Sequence, residues 1–369
     1  MEKKFNGAEL RLARIFNGLS LEDVAEQVEV TRQYVHKLET GLGVPNEFLV
    51  QQLASVLGVT TEFLCGEKSQ AIAETQFNFR KQFSTKAFIK QMTMARCEFV
   101  ERIVGFLDQE LKLPELSIPD LSYAKTPDEI EKAAELCRQH WDLGLGPIDH
   151  MSRLVENLGV IVTNFESFIK EVDALSVAVK RPIIVRNKFK ESVCRQRFDL
   201  AHELGHFVLH TGIETGDRIT ENQANRFASA FLIPRTMMAK LFPKPKGSRL
   251  DWNGLKEFKM TWKVSKAAIL FRARQLDLLT DGQYRTGVIT LSRNGQTAGE
   301  WEDHLISSEE PELLTRSFHV LAEKKNIFTE DIAKALCLTP EIVSKIVGFQ
   351  TPSRPVEIRS SRPLLYAVS

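Results

Sequence analysis

The sequence lacks the features that would place a protein in a membrane or in an oxidising compartment. No run of about 18 uninterrupted apolar residues occurs in it, and the opening MEKKFNGAEL carries lysines with no apolar segment behind them. The five cysteines are odd in number, scattered along the chain and free of any CxxC pair, which is typical of reduced thiols. We therefore expect a cytoplasmic protein with no membrane partner.

An excess of charge of one sign is also missing. Lysine and arginine number 49 and aspartate and glutamate 48, so the formal net charge is +1. This balance excludes a general attraction to nucleic acid, and a nucleic-acid partner must be bound by a local surface. The 369 residues, of which 43% are hydrophobic, are enough for packed cores and favour two or three domains.

Helix and strand patterns divide the chain into four segments. Residues 1–67 alternate short amphipathic helices with turns, and residues 68–124 have phenylalanines at helical spacing that predict a packed helical connector. Residues 125–284 combine helices with β-rich runs, and residues 285–369 predict a hairpin at Arg293-Asn294-Gly295 followed by helices. The predicted fold is mainly α with a small β-sheet (α+β), and we recognise no internal repeat.

The strongest motif is AHELGHFVLH at residues 201–210. His202 and His206 are four residues apart, so a helix projects both imidazoles from one face toward a single Zn²⁺. Glu203 lies beside them, where its carboxylate can take a proton from an attacking water molecule and return it to the leaving amine. The alternative is a helix with two histidines that bind no metal.

A catalytic zinc site takes three protein ligands and keeps one open position. Glu221 supplies the third ligand, since it stands fifteen positions after His206 at the start of a second predicted helix. Asn225, one turn later, is placed to hold a ligand histidine in the tautomer that binds metal.

Other ligand assignments remain open from the sequence. Glu214 and Asp217 lie in the loop before Glu221 and are weaker candidates, and Glu221 itself fits a first-turn acid that the helix dipole favours. His210 continues the four-residue series of histidines. It stands about 12 Å along the helix from His202 and is not expected to bind the same ion.

Two features near the motif also allow alternatives. Arg195 and Arg197 precede the motif on the same predicted helix, and an exposed solvated face is favoured over a role in orienting substrate or steadying an oxyanion. The apolar run Pro182–Val185 predicts either an edge strand that holds an extended substrate or a buried strand.

The ordered series of motifs across about residues 125–280 resembles the ImmA/IrrE family of metallopeptidases. The resemblance is carried by DALS at 173–176, RQRF at 195–198, AHELGHFVLH, ENQANRFA at 221–228, LIP at 232–234 and TWKVSKAAILFRARQL at 261–276. It implies a zincin-like core in which His202, His206 and Glu221 form a gluzincin-like ligand set for one Zn²⁺ per chain. Glu203 then corresponds to the catalytic acid.

The same resemblance implies a regulatory zinc-dependent metalloendopeptidase of the cytosol. Its protein substrate would be a repressor, an antitoxin or another regulatory partner, and such enzymes are often encoded on mobile or stress-related loci.

Residues 20–41, SLEDVAEQVEVTRQYVHKLETG, have the pattern of two short helices joined by a tight turn. The residues expected to face inward are Val24, Ala25, Val28, Val30, Val35 and Leu38. Thr31 is the expected N-cap of the second helix, whose outward residues are Arg32, Gln33, Tyr34 and Lys37. Arginine and glutamine at such positions recognise guanine and adenine edges in the major groove, and lysine binds phosphate.

Residues 8–66 as a whole resemble the Xre/Cro-type helix-turn-helix family. The resemblance implies double-stranded operator DNA as a partner and a homodimer on two half-sites. Glu29 stands where the family usually has glycine, and a left-handed backbone there costs about 1 kcal/mol. With six basic and nine acidic residues among residues 1–66, a protein-docking helical domain is the alternative.

Three functions follow from these motifs. The first is a DNA-binding regulatory metallopeptidase. The second is a transcription regulator or antitoxin that uses the zinc fold as a non-catalytic scaffold or sensor, and the third is a toxin that acts by proteolysis. The intact Glu203 favours the first, because a purely structural zinc site needs no base beside an open position.

Overall fold

The computed structural model describes residues 4–66, 77–78, 87–164, 174–187, 192–247 and 249–355. Residues 68–76 and 79–86 of the predicted connector and the end of the predicted C-terminal segment after residue 355 lie outside the described residues.

Five helices form the N-terminal module, where the sequence predicts short amphipathic helices. They are α1 (Gly7–Phe16), α2 (Leu21–Gln27), α3 (Arg32–Glu39), α4 (Glu47–Leu57) and α5 (Thr61–Leu64). Ser20 begins α2 with a capping box, and the side chain of Thr31 begins α3 by accepting the N–H of Tyr34. Glu29, between α2 and α3, has a φ of 54°. The turn is therefore left-handed without a glycine.

The middle of the chain begins with the long helix α6 (Ala87–Glu110), followed by α7 (Pro127–His140) and α8 (Met151–Asn157). Phe99 and Ile103 of α6 are fully buried, so this helix packs into the core. Thr126 opens α7 with a capping box, and Pro127 occupies the first helical position, where its missing N–H has no helical partner to lose.

Four short strands form one mixed sheet. They are β1 (Phe77–Asn78), β2 (Ile161–Asn164), β3 (Ala174–Val177) and β4 (Ile183–Arg186), in the order β1-β3-β4-β2. β2 runs parallel to β4, and the other pairs are antiparallel. Because β4 lies inside the sheet and all its residues are buried, Pro182–Val185 leads into a buried strand, and the edge-strand alternative is wrong.

The sheet separates two hydrophobic cores. Ile183 and Val185 of β4 face the first core, which also contains side chains of the N-terminal module, α6 and the C-terminal helices. Ile184 faces the second core, which is built from α7 to α14. A strand covered on both faces needs apolar residues at consecutive positions, and this explains the Ile-Ile-Val run.

Nine helices complete the described part of the chain. They are α9 (Val193–Leu209), α10 (Arg218–Leu232), α11 (Arg235–Leu241), α12 (Trp252–Trp262), α13 (Lys266–Gln275), α14 (Asp281–Arg293), α15 (Leu313–Val320), α16 (Thr329–Ala335) and α17 (Pro340–Val347). A 3₁₀ turn covers Asp303–Leu305, and a π turn covers Leu321–Lys325. Among the described residues, none of these helices is both long and apolar enough to span a bilayer.

The hairpin predicted at Arg293-Asn294-Gly295 is wrong. The residues before it form helix α14, which Thr280 and Gln283 open with a capping box. Asn294 is the C-cap of this helix, and Gly295 has a φ of 70°. An Asn-Gly pair is found both in hairpin turns and at the left-handed ends of helices. Here the capping box of Thr280 and Gln283 favours the helix.

Candidate metal centre

Helix α9 places the two motif histidines side by side. His202 Nε2 and His206 Nε2 lie 3.1 Å apart, and both side chains are buried. Gly205 between them lets α10 approach, because a Cβ atom at Gly205 would lie 3.0 Å from the ring of Phe227. The close contact of the two helices brings the start of α10 next to the histidines.

Helix α10 places Glu221 opposite the histidines. Asp217 begins this helix by accepting the N–H groups of Ile219 and Thr220 at 2.6 and 3.1 Å. Glu221 then lies in the first turn, 3.5 Å from His202 Nε2 and 3.4 Å from His206 Nε2. Of the competing ligands, Asp217 serves as the cap, and Glu214 is exposed.

The three side chains fit a zinc ion. Their ligand atoms all lie within 4.8 Å of one another. Tetrahedral zinc with bonds of about 2.0–2.1 Å holds its ligand atoms about 3.3 Å apart, close to the observed 3.1, 3.4 and 3.5 Å. Two imidazoles and one carboxylate form a donor set that zinc accepts. His202, His206 and Glu221 therefore form a candidate metal site.

Glu203 follows His202 on α9 and contacts the sheet. Its Oε2 atom accepts a hydrogen bond from the hydroxyl of Ser176 at 2.5 Å, and both side chains are buried. Ser176 stands in β3, where its backbone pairs with Asn78 of β1 and Ile184 of β4. The sheet thus fixes the orientation of the carboxylate that follows His202.

Helix α3 presents most of the predicted DNA-contacting residues to solvent. Arg32, Gln33 and Lys37 are exposed, as is the N-cap Thr31. Tyr34 is half-buried, and its hydroxyl donates to the carbonyl of Val44 at 3.2 Å. The surface that the sequence assigns to DNA is open, and the roles of its individual residues stay predictions.

Comparison with known families agrees with both regions. The model of peptidase family M78, described as the IrrE N-terminal-like domain, matches residues 155–274, and a helix-turn-helix domain model matches residues 7–63. The chain carries an IrrE N-terminal-like domain behind a helix-turn-helix domain. The family resemblance inferred from the motifs is confirmed. A comparison with curated proteins found no significant match.

The ionisation state of Glu221 in the IrrE-like site favours the binding of a cation. Burial of the Glu221 carboxyl raises its pKa, whereas hydrogen bonds and charge from His202 and His206 lower it by more, so the pKa lies well below its usual value. The side chain therefore stays ionised, which is the form that binds a metal ion.

Two side chains of the IrrE-like domain orient the histidine rings. Asn225 Oδ1 lies 2.9 Å from His202 Nδ1, so Asn225 holds the proton on this nitrogen and Nε2, which faces Glu221, is the nitrogen that can bind a metal ion. This is the contact expected for Asn225. His206 Nδ1 lies 2.9 Å from Nδ1 of His210, and His206 therefore has a partner of its own.

The sequence did not indicate this role of His210. Its Nε2 donates to Gln223 Oε1 at 2.9 Å, and Gln223 Nε2 in turn donates to the carbonyl of Lys125 at 3.1 Å. Burial lowers the pKa of His210 to about 4, so the ring is neutral and its Nδ1 accepts the proton of His206. His210 is not one of the three side chains whose ligand atoms converge, and its position one turn after His206 was the available signal.

The expectation of an exposed face at Arg195 and Arg197 is wrong for Arg197. Its side chain is 1% exposed, pairs with the carboxylate of Glu309 and donates to the carbonyl of Ile148 at 2.7 Å. Arg195 is half-buried and donates to the carbonyl of Thr297. The reason is that the segment after α14 returns to cover the start of α9, which the local sequence cannot reveal.

Proposed function

We propose that this protein is a DNA-binding regulatory zinc metalloendopeptidase that cleaves a repressor, an antitoxin or another regulatory partner. One observation carries the proposal. Two histidines of α9 and Glu221 of α10 converge, and the buried Glu203 directly follows His202 in α9. The match of the surrounding residues to a peptidase family supports catalysis, since a scaffold would not need Glu203 in this position.

His202, His206 and Glu221 would hold one Zn²⁺ per chain. When bound, zinc supplies Lewis-acid chemistry, which polarises the peptide carbonyl and lowers the pKa of water. Glu203 accepts the proton of the attacking water and delivers it to the nitrogen of the leaving amine, so the proton is neither gained nor lost overall. Ser176 keeps the Glu203 carboxylate in place by its hydrogen bond.

The helix-turn-helix domain would bring this activity to DNA. Exposed Arg32, Gln33 and Lys37 on α3 suit contacts with base edges and phosphates in the major groove of operator DNA. Because its DNA would be in the cytoplasm, we place the protein there. The stress-related role, the mobile-element or toxin–antitoxin context and the homodimer stay predictions.

The proposal is tested by comparing the wild type with the Glu203→Gln variant. Both chains should carry one zinc ion by native mass spectrometry, because Glu203 is not a ligand. Wild-type protein produced in a host cell should generate new protein N-termini that the variant does not, measured by N-terminal labelling and peptide mass spectrometry. Identical sets of N-termini, together with unchanged regulatory output in Glu203→Gln, would favour the non-catalytic sensor.

A further inference from the structure

The C-terminal helices α16 and α17 repeat the helix-turn-helix of α2 and α3. Each residue of α16 stands 308 positions after its counterpart in α2, and the same offset relates α17 to α3. Both first helices have seven residues, and both second helices have eight. Residues 20–40 and 328–348 are identical at only six of 21 positions, which is why the sequence alone did not indicate a repeat.

The turns of the two units have the same backbone. Glu29 in the first and Cys337 in the second have φ values of 54° and 58°. Thr31 and Thr339 then begin the second helices as N-caps. A left-handed non-glycine residue is uncommon, so its recurrence at the same position supports a true structural repeat.

The same hydrogen bond closes each turn. Val30 N donates to Ala25 O at 2.9 Å, and Leu338 N donates to Ala333 O at 2.8 Å. Both alanines are buried, where a larger side chain would separate the two helices. The C-terminal segment is therefore a second helix-turn-helix unit, outside the residues that the domain model matches.

The end of the N-terminal module contains a third version of this turn. Gly58, after α4, has a φ of 69°, and Thr60 precedes α5. Val59 N donates to Ala54 O at 3.0 Å. Residues 54–60 thus match residues 333–339 at a constant offset of 279 positions.

These two matching turns bind each other reciprocally. Thr60 N donates to Cys337 O at 2.9 Å, and Thr339 N donates to Gly58 O at 3.1 Å. In each bond, the donor and the acceptor occupy equivalent positions of the two turns. Such an exchange of equivalent contacts is the signature of a two-fold interface between copies of one unit. Here both units belong to the same chain.

Side chains close the contact. Val59 and Leu338, which form an isolated antiparallel bridge, are 5% and 3% exposed. A Cβ atom at Gly58 would lie 2.6 Å from Ile342 Cγ1, so Ile342 packs directly on the backbone of this turn. The two units share the first hydrophobic core.

The second unit has lost the groups that suit DNA recognition. Pro340 stands where α3 has Arg32, and Glu341 stands where α3 has Gln33. Proline offers no side-chain hydrogen bond to a base edge, and an exposed carboxylate is repelled by the phosphates of DNA. These first-turn positions are the ones that reach base edges in a recognition helix.

The remaining basic residue of α17 is engaged within the chain. Lys345, the counterpart of Lys37, donates from Nζ to Asn17 Oδ1 at 2.9 Å. Its ammonium also lies 5.4 Å from the ring centre of Phe16. Lys345 therefore joins α17 to α1, although both Lys345 and Lys37 are exposed.

We propose that α16 and α17 occupy the surface of the α4–α5 turn in the manner of a second subunit. The contact closes this surface to another copy of the chain, and the protein presents one recognition helix, α3, to DNA. The homodimer predicted from the sequence would then need a different surface. Only the part concerning DNA rests on the proposed function.

A disulfide tests the contact. The bonds on either side of Val59 and Leu338 make them a non-hydrogen-bonded pair, whose Cα atoms lie about 4.5 Å apart, within disulfide range. The full chain would carry Val59→Cys and Leu338→Cys in a Cys65→Ser, Cys337→Ser background, with each single cysteine as a control. We expect an intrachain disulfide, mapped by peptide mass spectrometry, and the mass of one chain on a non-reducing gel. A disulfide between two chains, or none in folded protein, overturns the proposal.

A matched pair of lysine variants tests the separation of roles. The full chain, Lys37→Ala and Lys345→Ala would be titrated with a mixed-sequence duplex of about 20 base pairs, enough for two helical turns, at several salt concentrations. Lys37→Ala should reduce the slope of log affinity against log salt by about 0.9, while Lys345→Ala keeps the wild-type slope. If both variants reduce this slope equally, the proposal is overturned. If the wild type binds no duplex, the DNA-binding function fails, and the disulfide still decides on the contact.

Discussion

Glu156 of α8 provides a test of how the C-terminal segment is attached to the rest of the fold. Its carboxylate is buried and accepts the backbone N–H groups of Glu312 and Leu313 at 3.0 and 2.9 Å. Burial raises its pKa to about 7 from 4.5, although these hydrogen bonds lower it in part. We predict that replacing Glu156 with glutamine changes how stability depends on pH.

The sign follows from proton linkage. Because the pKa of Glu156 is higher in the folded state, folding binds the proton, and the stability contribution of this group is full below pH 4.5. It is lost as pH rises through about 7. The difference between about 7 and 4.5 corresponds to about 3 kcal/mol of unfolding free energy, since one pKa unit is worth about 1.4 kcal/mol.

The assay is urea unfolding of wild type and Glu156→Gln at pH 4.5 and pH 8, with a chelator present so that metal binding does not contribute. The unfolding free energy of the variant minus that of the wild type should rise by about 3 kcal/mol between the two pH values. Any constant cost of the altered hydrogen bonds cancels in this comparison. The exposed Glu47→Gln serves as the control. A difference for Glu156→Gln that does not change with pH would refute the reasoning.

Two further predictions concern residues of α10 and α9. Asn225→Leu should weaken zinc binding by about 10–100-fold, because His202 loses the partner that fixes its tautomer. Competition with a chelator measures the zinc affinity. The control is Asn222→Leu, an exposed position on the same helix, which should leave the affinity unchanged. Arg197→Met should lower the unfolding free energy by about 3–5 kcal/mol, because Glu309 keeps a buried charge without its partner. Adding Glu309→Gln should restore part of the loss in denaturant unfolding, and a double variant no more stable than the single one would argue against this ion pair.

The parts of the site predicted from the sequence depend on local geometry. His202 and His206 share a helical face because of their spacing, and the first-turn position of Glu221 follows from a helix start nearby. Asn225 is one helical turn from Glu221 and reaches His202 as expected. Spacing along one helix needs no knowledge of the rest of the fold, so these positions could be inferred.

The missed features depend on contacts between distant segments. Arg197 and Glu309 are 112 residues apart, and Ser176 reaches Glu203 from a strand whose place in the sheet the sequence does not reveal. The repeat at the C-terminus remained hidden for another reason. It is preserved in backbone angles, such as that of Cys337, and in buried apolar character more than in residue identity.

X-ray absorption at the zinc edge of the purified wild-type chain addresses the metal centre most directly. We predict one zinc ion per chain, bound by two imidazole nitrogens and one carboxylate at about 2.0–2.1 Å, and a spectrum without sulfur ligands. In the Glu221→Ala variant, either another ligand should replace the carboxylate in the spectrum or the zinc ion should be lost. A coordination sphere that lacks histidine, or one that Glu221→Ala leaves unchanged, would contradict the convergence of α9 and α10 on a single metal ion.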